Sequence, residues 1–399
     1  VIGGSHAALA LSAELRRLSP EAEITIVSAD AELPYQRPPL SKAFMSGKVT
    51  FDQILLRPED WFAANAIDLK RGRRAAAIDR IAKTVELSDG ETLAYDTLVL
   101  ATGAVPRRLP ADIGGHLPNV HVMRDLGDAM ALMARMQSGA RLVVVGGGYI
   151  GLEAASEAAK KGVTVTVIEA ADRILKRVAC VETSDDVRAL HHGHGVRIFE
   201  NASLTRIVET NGQASGVELT DGSVIAADFV ITGIGVVPDT ALAEASGLIV
   251  ANGIVVDSRL QTSDPSIFAI GDCASFPYKG LTIRLESVQN ANDMGIACAA
   301  SITGARTDYR PVPWFWSDQF EMKLQIAGLN LGYDHVITRP GAREGAKSHF
   351  YFRGTEFLAA DCVNDGATYM IARRILEGGK VLTPDLVEDH AFNLKSLLS

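Results

Sequence analysis

Cysteine is sparse in this chain. Only Cys180, Cys273, Cys298 and Cys362 occur among 399 residues, and no two stand at CxxC or CxxxxC spacing. That excludes a disulfide scaffold, a cysteine-based zinc site and a paired-thiol redox centre; no metal is expected. Four free thiols suit a reducing compartment, so a cytoplasmic protein is expected. Long apolar runs are absent as well: none approaches the ~18 residues that cross a bilayer, so no membrane partner is expected. No basic run stands out against a formal net charge of -9, and no nucleic-acid partner is expected. No signal peptide is visible. The chain opens on Val1-Ile2-Gly3 with half a strand before its first glycine turn, and a few preceding residues are expected.

Glycine, by contrast, is plentiful at 36 residues, much of it clustered just after apolar runs. The length is too great for one hydrophobic core. A strand ending at Val1-Ile2 turns through Gly3-Gly4-Ser5 into a helix near Ala7–Leu18, and a strand follows at Ile24–Val27. The same βαβ order returns at Arg141–Val145, Gly146–Lys161 and Val163–Glu169. One nucleotide-binding unit therefore lies inside the span of another. A strand at Leu93–Ala101 ending in Thr102-Gly103, with a proline-containing crossover at Val105–Pro110, marks the entry. A strand at Phe229–Thr232 with Gly233-Ile234-Gly235 and Pro238 marks the exit. A helix is expected at Val288–Ile302. Beyond Tyr309, short strands at Leu324–Gly328, His349–Phe352 and Leu358–Val363, then a helix at Tyr369–Glu377, read as a small α+β domain. The expected fold is α/β, with two Rossmann-like domains and this C-terminal domain: residues 1–106 with 239–308, residues 107–238, and residues 309–399.

Gly146-Gly147-Gly148-Tyr149-Ile150-Gly151 fits GxGxxG in full βαβ context. Gly146 makes the turn, Gly148 lets backbone N–H groups approach a pyrophosphate, and Gly151 lets helix and strand pack closely. Glu169 closes the second strand, where a carboxylate accepts hydrogen bonds from an adenosine ribose; it favours NADH, because the extra phosphate of NADPH would be repelled. Arg173, Lys176 and Arg177 pull the other way if one turns inward. The N-terminal loop is less regular: Ser5 stands where the second glycine belongs, and Ala8 stands at the third.

Four further segments make a resemblance readable, among them Arg284-Leu285-Glu286-Ser287-Val288-Gln289-Asn290-Ala291. Thr262-Ser263-Asp264-Pro265-Ser266-Ile267-Phe268-Ala269-Ile270-Gly271-Asp272 matches the second FAD fingerprint of two-dinucleotide-fold flavoproteins. Arg37-Pro38-Pro39-Leu40-Ser41-Lys42 and Pro313-Trp314-Phe315-Trp316-Ser317-Asp318-Gln319 narrow it further. Essentially the whole chain resembles the FAD-dependent NADH:ferredoxin reductases that feed bacterial cytochrome P450s and Rieske oxygenases, of glutathione-reductase-like fold. The resemblance implies non-covalent FAD, NADH, a 2Fe–2S ferredoxin partner and, indirectly, a P450 or Rieske oxygenase. It implies FAD contacts at Ala7, Arg37, Lys42, Ala75, Arg124, Asp272 and Val288. The wider expected cofactor set adds Gly3, Ser5, Ala8, Thr102, Gly103, Gly271, Glu286 and Trp316, with Gly146, Gly148, Tyr149, Ile150, Gly151, Glu169 and Gly235 for the nicotinamide nucleotide. The family's ribose-binding acid falls at Ala29; here the acid is Asp30, one place later.

The resemblance also implies catalytic roles for Lys42, Glu153 and Trp316. Hydride brings negative charge to the flavin ring, and an ammonium beside it stabilises that charge in a low-dielectric site. Glu153 would pair with Lys42, and Trp316 would lie toward the electron acceptor. Basic groups at Arg37, Lys48, Arg373 and Arg374 are candidates for meeting an acidic ferredoxin. The alternatives keep the fold and change the acceptor: rubredoxin, monodehydroascorbate, a disulfide, or a redox-sensing role. The disulfide reading needs a cysteine near Leu40-Ser41-Lys42, and none is there.

Overall fold

Runs of valine and isoleucine become parallel strands buried on both faces, the environment that rewards β-branched side chains without alternation. A computed structural model describes residues 1–398 and divides the chain into two units. The first comprises Val1–Gln36, Val49–Val105 and Val236–Pro311; the second comprises Arg37–Lys48, Pro106–Gly235 and Val312–Ser399.

In the first unit, Ile24–Val27 pairs in parallel with Ile67–Lys70, and Leu98–Leu100 with Ile267–Ala269. Ile2 joins the two pairs through parallel bridges to Val27 and Leu100. The helix His6–Leu18 lies against the helix Val288–Ile302. Their approach requires Gly295: a Cβ there would sit 2.6 Å from the Ala7 carbonyl oxygen. The expected strand Leu93–Ala101 is two strands. Thr92–Ala94 belongs to an antiparallel meander with Ala75–Asp79 and Thr84–Leu87, and only Leu98–Leu100 enters the parallel sheet. Asp96 and Thr97 lie exposed between them, since two polar residues there have no buried partner to favour continuing the strand.

In the second unit, a five-stranded parallel sheet runs in the order Arg197–Phe199, Thr164–Ile168, Arg141–Val145, Phe229–Thr232 and Val120–His121. The helix Tyr149–Lys160 follows the central strand. Gly151 lets it do so, because a Cβ would lie 2.5 Å from the Gly146 carbonyl oxygen. The C-terminal part forms a five-stranded antiparallel sheet in the order Trp314–Gln319, Met322–Gly328, Glu356–Val363, Lys347–Arg353 and His335–Pro340. The helix Gly366–Glu377 closes over a core of Phe350, Phe352, Tyr369 and Ile375. Buried polar contacts tie this sheet to residues 106–235: Thr183 Oγ1 donates to Asp361 at 2.7 Å, and the Cys180 N–H donates to the Tyr351 hydroxyl at 2.8 Å. The tail thus shares a unit with the inserted segment. Nothing in its own strand pattern announces those partners.

Candidate functional site

A helix leaves its first N–H groups without intrahelical partners, and side chains normally cap them. Asp125, Cys180, Ser287 and Asp365 do this for four of the helices of ten residues or more. The two exceptions are the helices that follow the glycine loops, His6–Leu18 and Tyr149–Lys160. Neither has a side-chain cap or an acidic residue in its first turn. Ser5 takes the N-cap position but makes no cap bond; its hydroxyl meets His6 Nδ1 at 3.4 Å. Each helix start therefore presents the positive end of its macrodipole without a side-chain cap, which fits a pyrophosphate. Gly148 has open space within 4 Å where a Cβ would point, whereas one at Gly146 would meet the Gly233 carbonyl at 2.5 Å. The first fits ligand approach and the second a tight chain crossing.

In the first unit several expected FAD residues converge. A Cβ on Gly3 would lie 2.1 Å from the Ala101 carbonyl and 3.3 Å from Thr102 N; one on Gly271 would lie 3.3 Å from Ala7 Cβ. The second FAD fingerprint therefore ends at the start of the first helix, with Asp272 in the turn Gly271–Cys273. Ala8 is fully buried behind the loop. Gly103 turns at φ +76°, and Thr102 Oγ1 donates to the Asp239 carbonyl at 2.6 Å. Val288 opens its helix after the Ser287 cap. Asp30 is half-buried beside the exposed Ala29. Ala75 lies in the meander, opposite Leu87. Glu286 is held by Arg284 at 2.6 Å.

In the second unit the centre is Glu153, whose side chain is 3% exposed. Burying an ion costs several kcal/mol unless donors surround it. Lys42 Nζ donates to Oε2 at 2.7 Å, Ser41 Oγ to Oε2 at 2.8 Å, and Ser317 Oγ to Oε1 at 2.7 Å. Burial still pushes the carboxyl above its usual range, opposed by the Lys42 charge and these hydrogen bonds. Ser41 and Ser317 escape sequence reasoning, because a lone serine carries no pattern. Arg37 Nη1 donates to the Arg124 carbonyl at 2.9 Å, joining two more expected residues. Tyr149 packs its ring on Phe315 at 5.1 Å, and its buried hydroxyl lacks a hydrogen-bond partner. Ile150 is exposed, and Gly235 turns at φ +96°. Strand alternation sends Ser317 and Trp316 to opposite faces, so Trp316 shares its face with Trp314, 5.7 Å away between ring centroids.

A profile of the pyridine nucleotide-disulphide oxidoreductase family matches residues 1–295, and one of the reductase C-terminal domain matches residues 314–398. The chain belongs to this oxidoreductase family. Rhodocoxin reductase of Rhodococcus erythropolis is 44% identical over 99% of this chain and 93% of its own length. Among solved structures, the ferredoxin reductase for the CYP199A2 system from Rhodopseudomonas palustris is 39% identical, covering 100% of this chain and 99% of its own, at a TM-score of 0.96. A covalent complex of putidaredoxin reductase with putidaredoxin matches at the same TM-score with 38% identity, covering 100% of this chain and 97% of its own. The family is named for disulphides, yet this member's four cysteines are all free and buried. Burial pushes Cys180 up to about 11 and raises the other three thiols as well. None is the exposed thiolate that disulfide exchange requires.

Glu169 accepts from the Gly147 N–H at 2.7 Å through Oε2 and from the Ala171 N–H at 2.8 Å through Oε1. It thus braces the loop itself. Arg173 does not turn toward the nucleotide loop. Its guanidinium donates to Ser184 Oγ at 2.6 Å and to the Ala179 carbonyl at 2.8 Å. Lys176 pairs with Asp172 at 2.9 Å.

Proposed function

We propose that this protein is an FAD-dependent NADH:ferredoxin reductase that passes single electrons to a 2Fe–2S ferredoxin serving a cytochrome P450 or Rieske oxygenase in the cytoplasm. FAD, when bound, accepts hydride from NADH and gives up the two electrons one at a time. The carrying observation is the Lys42–Glu153 ion pair, whose carboxylate stands on a helix that begins at a glycine loop, in a chain without a reactive thiol. A relative with a redox cysteine can hand its electrons to a disulfide; this chain has to hand them to an external carrier.

Of the proposed FAD residues, Gly3, Ser5, Ala7, Thr102, Gly271 and Asp272 belong to the first unit. Lys42 supplies positive charge to the flavin ring, and Glu153 keeps the ammonium in place. The Tyr149–Lys160 helix start takes the pyrophosphate of the nicotinamide nucleotide. The test is NADH-dependent reduction of cytochrome c with and without an added 2Fe–2S ferredoxin. Turnover should depend on the ferredoxin. Equal rates without it, or with a disulfide in its place, would refute the assignment.

A further inference from the structure

Ser317 is both a donor and an acceptor, and its two bonds differ. Its hydroxyl lies 2.7 Å from Glu153 Oε1, and it receives Gln319 Nε2 at 3.1 Å. The hydroxyl has one hydrogen, and a carboxylate is the stronger acceptor, so the hydrogen goes to Glu153. Gln319 must then donate to Ser317, which turns its Oε1 toward His191 Nε2, 2.7 Å away. That contact requires a hydrogen on Nε2. Nδ1 of His191 is buried without a hydrogen-bond partner, and burial lowers the ring's pKa to about 4. A neutral ring with its proton on Nε2 satisfies all of this.

The hairpin that carries Ser317 and Gln319 is clamped at its tip. Phe320 sits at φ +51°, a left-handed conformation that costs an aromatic residue energy and persists only where its surroundings enforce it. Its N–H donates to Ser156 Oγ at 2.7 Å. Its ring stacks on His194 at 3.9 Å, meets His191 edge-on at 5.1 Å, and lies under Lys160 Nζ at 5.5 Å. Glu153, Ser156 and Lys160 follow helical spacing, so one stripe of the Tyr149–Lys160 helix grips the hairpin from Ser317 to Phe320.

We propose that Gln319 and His191 are positioning residues: with Ser317 they form a one-way chain of hydrogen-bond donors that ends on Glu153 and holds its carboxylate as the acceptor opposite Lys42. The value of the chain to catalysis rests on the reading above, in which Lys42 and Glu153 serve FAD reduction. The titratable groups around it are few. Lys42 and Tyr149 face Glu153, and His192 and His194 face His191.

Two measurements test the proposal. Nitrogen-15 NMR of histidine-labelled holoprotein should show His191 neutral and protonated on Nε2 at neutral pH; protonation on Nδ1 would reverse the chain and overturn the proposal. The His191 signal is assigned among the nine histidines by its loss in His191→Gln, and this arm does not depend on the FAD reading. The second is stopped-flow reduction of bound FAD by NADH against pH, normalised to FAD content. Gln319→Glu keeps the side chain's size but offers Ser317 an acceptor in place of a donor. Glu153 then loses a hydrogen bond and gains a negative neighbour. Its protonation should move to higher pH, so the loss of rate between pH ~8.5 and pH ~6 should be at least about threefold larger than in the unaltered chain. Gln319→Met, which removes the donor without adding charge, should shift the profile in the same direction by less. His191→Leu should do likewise, with His191→Gln restoring an N–H and the original profile. If Lys42→Met slows reduction while Gln319→Glu and Gln319→Met leave the pH profile in place, the chain has no such role. If Lys42→Met changes nothing, the FAD reading of the ion pair has failed instead, and the catalytic role of the chain fails with it.

Discussion

Two carboxylates in the second unit are buried to similar depth and meet different surroundings. Glu153 has a cation and two hydroxyls; removing the cation by Lys42→Met leaves an uncompensated buried charge, worth ~3–5 kcal/mol of stability. The variant should also slow FAD reduction by NADH about tenfold or more, read by stopped flow and normalised to bound FAD. A normalised rate within about twofold of the parent would place Lys42 outside the reaction. Asp361 has no cation in contact. Tyr351 and Thr183 donate to Oδ2, Oδ1 lacks a hydrogen-bond partner, and burial raises the carboxyl from 3.8 to about 6. For an acid raised in this way the folded state favours the proton. The group therefore costs nothing below the unfolded value, and stability is lost as pH rises from there through about 6. The loss is on the order of 3 kcal/mol. Asp361→Asn should abolish it, so the melting temperature of the variant should gain on the parent as pH rises from about 4 to about 7. A constant difference across that range would mean Asp361 keeps an ordinary pKa.

At the scale of the element, the glycines of the second loop separate folding from ligand binding. Gly146→Ala has to move the Gly233 carbonyl and strain a φ of +106°, so it should destabilise the protein. Gly148 is different: its φ is -83° and its Cβ direction is open. Gly148→Ala should leave the melting temperature within about 1 °C while raising KM for NADH about tenfold or more, because the methyl occupies the space through which a pyrophosphate reaches the helix N-terminus. Equal loss of stability and of NADH affinity would contradict the assignment of this helix start.

The whole molecule carries a net charge of -9, so attraction of an acidic ferredoxin has to come from local basic groups. One of the candidates, Arg373, is already engaged. It lies over the Trp314 ring at 5.3 Å and pairs with Glu377 at 2.7 Å. The choice of reductant also falls at this scale. Arg173 is bound to Ser184 and backbone carbonyls and Lys176 to Asp172, while the Arg177 guanidinium lies 3.4 Å from where a Cβ on Gly235 would stand, so Glu169 at the strand end is opposed by one arginine at most. NADH should be preferred to NADPH by ~2–3 kcal/mol, about a hundredfold in kcat/KM. Glu169→Ala should move the ratio toward NADPH. It should also raise KM for both cofactors, because Glu169 holds the Gly147 N–H. A ratio near one in the parent protein would contradict the assignment.

The sequence by itself determined what depends on neighbours along the chain. The glycine loops, the helix Val288–Ile302 and the insertion of one βαβ unit within another are legible because turns, caps and periodicity act over a few residues. Lys42 and Glu153 were readable as a pair only through resemblance, since they lie 111 residues apart. The tertiary structure alone decided what surrounds them. Ser317 reaches Glu153 across 164 residues, and His191 reaches Gln319 across 128. The segment Trp314–Gln319 shows no clean apolar–polar alternation, so its strand character and its facing were hidden. Only its register opposite Met322–Gly328, and the Phe320 turn that fixes it, put Ser317 on one face and Trp316 on the other. A hydrogen bond between distant single residues leaves no periodic trace. It exists because folding buries a charge, and a buried charge must find donors wherever the chain brings them.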